Sequence, residues 1–459
     1  MILGKRPERG MTKENPFPRG TGGSSCFRIP ALVTLSDGTL VAAADARWNA
    51  TFDGGGLDTV VSRSRDGGET WHYGFANYLG DNGNVYNGGE STCFIDPALA
   101  VTAEDTVYML VDLYPYGVAL NGIGNTPPEP GSGFNDGGKL LLSADGHKTY
   151  GYYLDGDTIR DADGTTVPGC RVDGYFNLYR DGALLSNLFF GDSPYKVTRT
   201  GFLYLTKSMD RGETWSEPTL LNVKKGRELV CLAAPGRGLV TKDGMLVFPV
   251  YSYGGSSESQ RTSFLFSRDG EHWKRSADFN GAGWSSESAV VELRNGMLRF
   301  FYRNGTARLC YADYDMRTGS WGNAVVTDAA INSNCQISAI VYSKTRNGRP
   351  VILVSCPAGP NAAGSDVCHA AYRRNGRIFA FTFEEDGSLT RIGTIPVTAP
   401  EGQFMYSCLT ELPDGSVAIL YEDGETQWGV GDDCYYTMAF RKFHPEAELN
   451  LLFDSVHHK

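Results

Sequence analysis

A six-bladed β-propeller with a small inserted β subdomain is the all-β fold that the sequence predicts, and two interleaved repeats predict it. The first is a hairpin turning on Asp-Gly or Asn-Gly, at Asp37-Gly38, Asp243-Gly244, Asn295-Gly296 and Asp414-Gly415, flanked by apolar runs such as Ala31 to Leu35 and Met245 to Val250. Such dipeptides between strand-like runs are the strongest local hairpin signal, because both residues of a two-residue turn need positive φ. The second repeat is Ser-x-Asp-x-Gly-x-Thr-Trp, complete at Ser64 to Trp71 and at Ser208 to Trp215. Degenerate copies run from Ser267 to Trp273 and around Asp313 to Trp321. Asp and Ser bond the backbone of their own turn, Gly relieves a strained φ and Trp packs over the loop, so these turns speak for fold and not for chemistry. One such turn per four-stranded sheet marks a propeller blade.

A chain of 459 residues ordinarily suggests two or three domains, but a closed repeat array holds that length as one unit. The 57 glycines and 12% aromatic content fit many short strands with tight turns, and no stretch reads as a long amphipathic helix. The densest run of turns, Asp155-Gly156, Asp163-Gly164, Asp173-Gly174 and Asp181-Gly182, separates short strands such as Tyr175 to Tyr179. It predicts an inserted β subdomain over 143–198, entered through Ser143 to Tyr150, a decayed copy of the second repeat. The propeller then comprises 1–142 and 199–459, a length that suits about six blades where such folds use ~4 to 8.

The net charge of -11 argues against nucleic acid or an acidic membrane surface as the main partner. It does not exclude a small anionic ligand, since charges beyond the ~8 to 10 Å Debye length are screened. The first residues, with Lys5, Arg6, Glu8, Arg9, Lys13, Glu14 and Arg19, contain no apolar run, so neither a signal peptide nor a membrane span is visible. Ten cysteines without a C-x-x-C pair read as free thiols of a cytoplasmic protein, or of a secreted one if the chain is truncated. No histidine set, His457 and His458 included, is spaced like zinc ligands, and no stretch satisfies an EF-hand loop, so no metal or cofactor is expected.

Polar residues gather at the open ends of the hairpins. Counting outward from the turns places Pro235 opposite Tyr251, Glu287 opposite Arg303, Tyr406 opposite Glu422 and Arg28 near Asp45. Arranged radially, these ends converge as the floor of a site. Arg28, Arg303 and one of Arg373 or Arg374 lie on different predicted blades, and three planar guanidinium forks grip one carboxylate at any working pH. Adjacent strand residues point to opposite faces, so Arg373 and Arg374 do not both enter.

Phe27-Arg28-Ile29-Pro30, followed by the Ser-x-Asp-x-Gly-x-Thr-Trp turns, resembles the catalytic domain of bacterial sialidases, glycoside hydrolase family 33, whose Asp boxes these turns match. The resemblance runs from Arg28 to about Phe440 and implies an arginine triad on the carboxylate of sialic acid. The family pattern Arg-x-Asn-Gly matches Arg373, Asn375 and Gly376, which selects Arg373. Glu422 then orients Arg28. Ser286-Glu287-Ser288 and Met405 to Leu409 match the strands that carry the nucleophile pair, with Tyr406 attacking and Glu287 taking its proton. Most glycosidases use two carboxylates and sialidases are a known exception, because the anomeric carbon already bears an anion that repels a second one. A phenol titrating near ~10 needs such a neighbouring base.

Asp53, twenty-five positions after Arg28 in a loop of three glycines, corresponds to the family's acid and base, with Asp58 its nearest rival. The resemblance further implies Arg47 as a secondary pocket arginine and Asp96 as acceptor for the N-acetyl N–H, where an ordinary Asp-Pro turn is the alternative. Tyr251 and Tyr253, on one strand face, flank the glycerol chain or the leaving sugar, unless they are core aromatics. The chain is thus expected to be an exo-acting, retaining sialidase acting on sialylated oligosaccharides or glycoproteins. An intramolecular trans-sialidase giving an anhydro product is the alternative within the class. A sialoglycan-binding propeller lectin is the rival outside it, and it would have no use for Asp53, Glu287 and Tyr406 together.

Overall fold

The computed structural model describes residues 8–48, 51–79, 92–120, 125–226, 228–281, 283–293, 296–327, 334–359, 373–424 and 436–454. Among the described residues eight sheets form, and six of them, built on antiparallel hairpins, make the blades. Blade 1 holds Phe27–Thr34, Leu40–Ala46, Asp58–Ser64 and Thr70–Asn77, with Gly10–Lys13 on its edge. Blade 2 holds Cys93–Val101, Val107–Tyr114, Phe202–Ser208 and Thr219–Leu221. Blade 3 holds Val230–Ala233, Leu246–Tyr253, Arg261–Ser267 and Lys274–Arg275. Blade 4 holds Ser288–Glu292, Met297–Tyr302, Leu309–Asp315 and Ser320–Trp321. Blade 5 holds Ser338–Arg346, Arg349–Pro357, Gly376–Phe383 and Leu389–Pro396, and blade 6 holds Ser407–Glu411, Val417–Gly424 and Tyr436–Phe443.

The core shows that the ring closes. Apolar clusters join blade 2 to 3 through Leu110 and Phe248, 3 to 4 through Phe264 and Phe300, 4 to 5 through Phe301 and Ile352, and 5 to 6 through Leu353 and Ile419. Blade 1 packs on blade 2 through Val41 and Met109, and on blade 6 through Leu40 and Leu420. Each sheet is therefore covered on both faces, which is why inner strands such as Leu40–Ala46 are buried at every position rather than alternately.

The hairpins form where expected, with a different turn. Gly38, Gly244, Gly296 and Gly415 have positive φ (86°, 82°, 71° and 79°), but Asp37, Asp243 and Asp414 do not. Gly38 N donates to Leu35 O and Leu35 N to Thr39 O, a three-residue loop with the left-handed Gly as its bulge. The Asp serves through its side chain, accepting Thr39 N at 2.9 Å in the first hairpin and Ser416 N at 2.8 Å in the last. Asn295 lies outside the described residues.

Register corrects one expectation. Glu287 and Arg303 pair, as do Tyr406 and Glu422 and Arg28 and Asp45, but Tyr251 pairs with Leu232 and not with Pro235. The reason is an excursion: Gly236–Arg237 leaves the hairpin to pair in parallel with Ala98 and Leu99 of blade 2, which adds residues that counting from the turn cannot see.

Asp66 accepts Thr70 N, Thr70 Oγ1 and Ser64 Oγ, and Trp71 closes the turn on Gly68 O. The same pattern holds around Asp210 and Asp269, and also at Asp145, so the Ser143 turn keeps the box geometry despite lacking the Trp. The Asp313 segment is not a box: Asp313 is paired to Arg299, and Asp315 caps the turn at Arg317. Phe202 pairs directly with Leu113, so strand pairing places the excursion from blade 2 between Tyr114 and Phe202, wider than 143–198. It holds two small sheets, one including Leu141–Ser143 and Lys196–Val197, and its Phe176 and Phe189 share the core of blades 1 and 2. No described helix is long and apolar enough to cross a membrane, and the eight described cysteines are all free and buried.

Candidate active site

The start of each blade's inner strand lies at one end of the ring, and there the charged residues meet. Arg28 opens its strand immediately before a register break at Ile29, whose φ of 62° turns the chain. Its guanidinium presents Nε to Glu422 Oε1 at 3.1 Å and Nη2 to Glu422 Oε2 at 3.4 Å. Glu422, fully buried, also accepts Ile29 N at 2.8 Å, so it fixes both the Arg28 side chain and the bent backbone that carries it. The remaining nitrogen, Nη1, lies 3.5 Å from Asp53 Oδ1.

Tyr406 sits between the arginines. The guanidinium carbons of Arg28 and Arg373 each lie 5.6 Å from its ring centroid. Its hydroxyl donates to Glu287 Oε1 at 2.5 Å and accepts from Arg303 Nη1 at 3.0 Å, while the same nitrogen reaches Glu287 Oε2 at 2.7 Å. Burial, and next Glu287, push the phenol well above its ordinary value, with Arg303 and Arg373 opposing. The resting group is a neutral phenol already bonded to the base that can take its proton.

Asp53 is held on the other side of the pocket by Arg47, whose Nη1 lies 2.6 Å from Asp53 Oδ1 and also bonds Thr51 O and Phe52 O. Burial raises the Asp53 carboxyl, but Arg47, Arg28 and Arg373 outweigh it, and the group lies below the usual carboxylate range although its side chain is 28% exposed. The rival Asp58 is fully buried and accepts Trp48 Nε1 at 3.0 Å. Arg374 points to Glu401, while the Arg373 guanidinium lies over the Tyr406 ring, the division expected of adjacent residues.

Asp96 has φ 65° and donates its backbone N–H to Asp45 Oδ1 at 3.1 Å. Its carboxyl is driven well up by burial and then by Asp112, Asp45 and Glu287. Tyr251 and Tyr253 share one apolar cluster with Ile95, Tyr114 and Leu232. Tyr251 is 8% exposed with its ring in that cluster, and burial followed by Glu287 and Asp96 raises its hydroxyl. Among the described residues no group of three His, Cys, Asp or Glu has the geometry to hold a metal ion.

Sequence reasoning missed Asn334, which accepts Arg303 Nε on Oδ1 at 2.8 Å and Arg373 Nη2 on its backbone oxygen at 3.1 Å. It holds two of the three arginines from a loop between blades, and its φ of 45° is a conformation Asn tolerates better than most residues. It also missed Asp112, buried opposite Ile95, with Oδ1 on Ala233 N at 2.9 Å.

The BNR repeat-like domain family matches residues 29–382. The anhydrosialidase of the leech Macrobdella decora is 30% identical over 87% of this chain and 58% of its own length. Sialidase B of Streptococcus pneumoniae is 26% identical over 86% of this chain and 61% of its own length, so the chain spans about three fifths of these curated relatives. The crystal structure of the intramolecular trans-sialidase from Ruminococcus gnavus with oseltamivir carboxylate superposes with a TM-score of 0.78 at 27% identity, covering 94% of this chain and 96% of that one. With its six blades and Asp boxes, the chain belongs to the BNR repeat-like family and is a sialidase-type propeller domain.

Proposed function

We propose that this chain is an exo-acting, retaining sialidase that releases terminal α-linked sialic acid through a covalent bond to Tyr406. The observation that carries the reading is the neutral Tyr406 hydroxyl at 2.5 Å from Glu287, set among Arg28, Arg303 and Arg373. The three forks would take the sugar carboxylate and so orient the anomeric carbon over the phenol oxygen. Tyr406 attacks as its proton passes to Glu287, and Asp53 gives a proton to the leaving oxygen. In the second half the acceptor hydroxyl returns a proton to Asp53, the bond to Tyr406 breaks and Glu287 reprotonates the phenolate. Asp96 would accept the acetamido N–H, and the substrates would be sialylated oligosaccharides and glycoproteins.

The acceptor distinguishes two products. Water gives free sialic acid, whereas a hydroxyl of the bound sugar itself gives an anhydro sugar. The names of the leech and Ruminococcus gnavus proteins favour the second, since one is an anhydrosialidase and the other an intramolecular trans-sialidase. Incubation with a fluorogenic aryl sialoside tests both levels. Fluorophore release supports the enzyme, and mass analysis of the sugar, which is lighter by one water if the acceptor is internal, assigns the product. Folded protein that binds sialosides without releasing fluorophore would overturn the reading in favour of a lectin.

A further inference from the structure

Asp45 has no role in the chemistry described so far, yet two arms of the pocket hang from it. Along Leu40–Ala46, Leu40, Ala42, Ala44 and Ala46 pack toward blade 6 while Val41 and Ala43 pack toward blade 2. Period-two alternation puts Asp45 on the blade 2 side, as the one ionisable residue of that strand, and it is fully buried. A carboxylate so placed must be met by donors or it costs several kcal/mol. Its Oδ2 accepts Arg47 Nη2 at 2.8 Å and Nε at 3.2 Å, and its Oδ1 accepts Asp96 N at 3.1 Å across the blade boundary.

Each donor leads to a different functional group. Arg47 passes the hold on through Nη1 to the 51–53 loop and the Asp53 carboxylate. The Asp96 N–H belongs to a residue in the left-handed region, within a register break between Ile95 and Ala98, a conformation that persists only where its surroundings enforce it. The charged and titratable groups facing Asp45 are Arg47, Arg28 and Asp53 of blade 1 and Asp96, Asp112 and Cys93 of blade 2.

We propose that Asp45 is a positioning residue that sets two things from one anchor: the acid Asp53, through Arg47, and the acetamido acceptor Asp96, through its backbone N–H. The proposal rests on the roles given to Asp53 and Asp96 under the proposed function. Because both oxygens of Asp45 accept from donors, an amide in its place opposes a donor in either orientation, to Arg47 or to Asp96 N. Asp45→Asn therefore loosens the site at nearly constant volume.

The test uses two aryl sialosides that differ only in bearing an acetamido or a hydroxyl group at the same ring carbon. The ratio of their kcat/KM values cancels the folded fraction, so a merely structural role leaves it unmoved. For Asp45→Asn the preference for the acetamido substrate should fall about tenfold or more, the scale seen when an outer partner of a site ligand is lost. The high-pH limb of kcat should move with it. An unchanged ratio, or an unmoved limb, overturns the proposal. Should the Asn variant not fold, Asp45→Glu carries the same comparison, since one added methylene keeps the charge but displaces both acceptors, and wild-type values there are equally fatal. Wild-type indifference to the acetamido group would instead overturn the assignment of Asp96, a failure visible before any variant is made.

Discussion

Binding of a carboxylate ligand should drive proton uptake by Asp53. In the free protein that carboxyl is kept ionised by Arg47 at 2.6 Å and Arg28 at 3.5 Å. A ligand carboxylate bonded to Arg28 and its neighbours would lie about 5 Å from Asp53, and two like charges at that distance repel by about 3 kcal/mol at an effective dielectric near 20. Since about 1.4 kcal/mol is a factor of ten, the proton affinity of Asp53 should rise on the order of a hundredfold. On the proposed mechanism the sugar would thus convert a salt-bridged anion into an acid able to protonate the leaving oxygen. Because the free group lies below the usual carboxylate range, uptake should appear on the acid side of neutrality, between the free and bound values. Calorimetry of a non-hydrolysable carboxylate inhibitor, repeated in buffers of different ionisation heat, counts the protons directly. Asp45, raised by burial to about 7, can contribute a separate component near neutrality. The acid-side component should therefore vanish in Asp53→Asn while any component near pH 7 persists. Binding with no acid-side uptake, or uptake that survives Asp53→Asn, would refute the reasoning.

Tyr406→Phe should nearly abolish turnover while sialoside affinity, by titration, stays close to wild type, because the Arg303 to Glu287 pair at 2.7 Å does not depend on the hydroxyl. Glu422→Ala removes the two-pronged partner of Arg28, which is 3% exposed, and should cost about 3 to 5 kcal/mol in denaturant unfolding, the range for breaking a buried pair; a loss under about 1 kcal/mol would count against the pairing. Burial acts to raise the Asp66 carboxyl, but the bonds from Thr70 and Ser64 together outweigh it and hold the group at about 2. A depressed carboxyl stabilises above its unfolded value and loses that contribution as pH falls through the folded one. The melting-temperature gap between wild type and Asp66→Ala should therefore shrink between about pH 4 and pH 2.

Much of the site was legible because hairpin arithmetic is rigid. Once Gly296 and Gly415 mark the turns, antiparallel register alone brings Glu287 to Arg303 and Tyr406 to Glu422. Arg373 and Arg374 part as alternation predicts, to Asn334 and to Glu401, although both precede the strand Gly376–Phe383. The same arithmetic failed for Pro235 and Tyr251 across the Asp243 turn, because the Gly236–Arg237 excursion on the first side of the hairpin is set by pairing with blade 2, a partner far away in sequence. Asn334 escaped for a related reason: its value lies in reaching two arginines from a loop between blades, and no local pattern records that.

The chemistry also explains why charges are nested here rather than merely gathered. Glu422 holds Arg28, Asn334 holds Arg303 and Arg373, and Arg47 holds Asp53, so each group that would face the sugar is fixed by a buried partner. A guanidinium or carboxylate pinned in this way loses little side-chain entropy on binding and needs no reorganisation as charge develops, which is the condition for electrostatic stabilisation to act on the transition state. The propeller suits the arrangement because each blade starts an inner strand at the same end of the ring. Under the proposed function blades 1, 4 and 6 would supply acid, base and nucleophile, and bonds that cross between blades, Glu422 to Arg28 and Ile29 N and Tyr406 to Glu287, lock the three sheets to one another at that end.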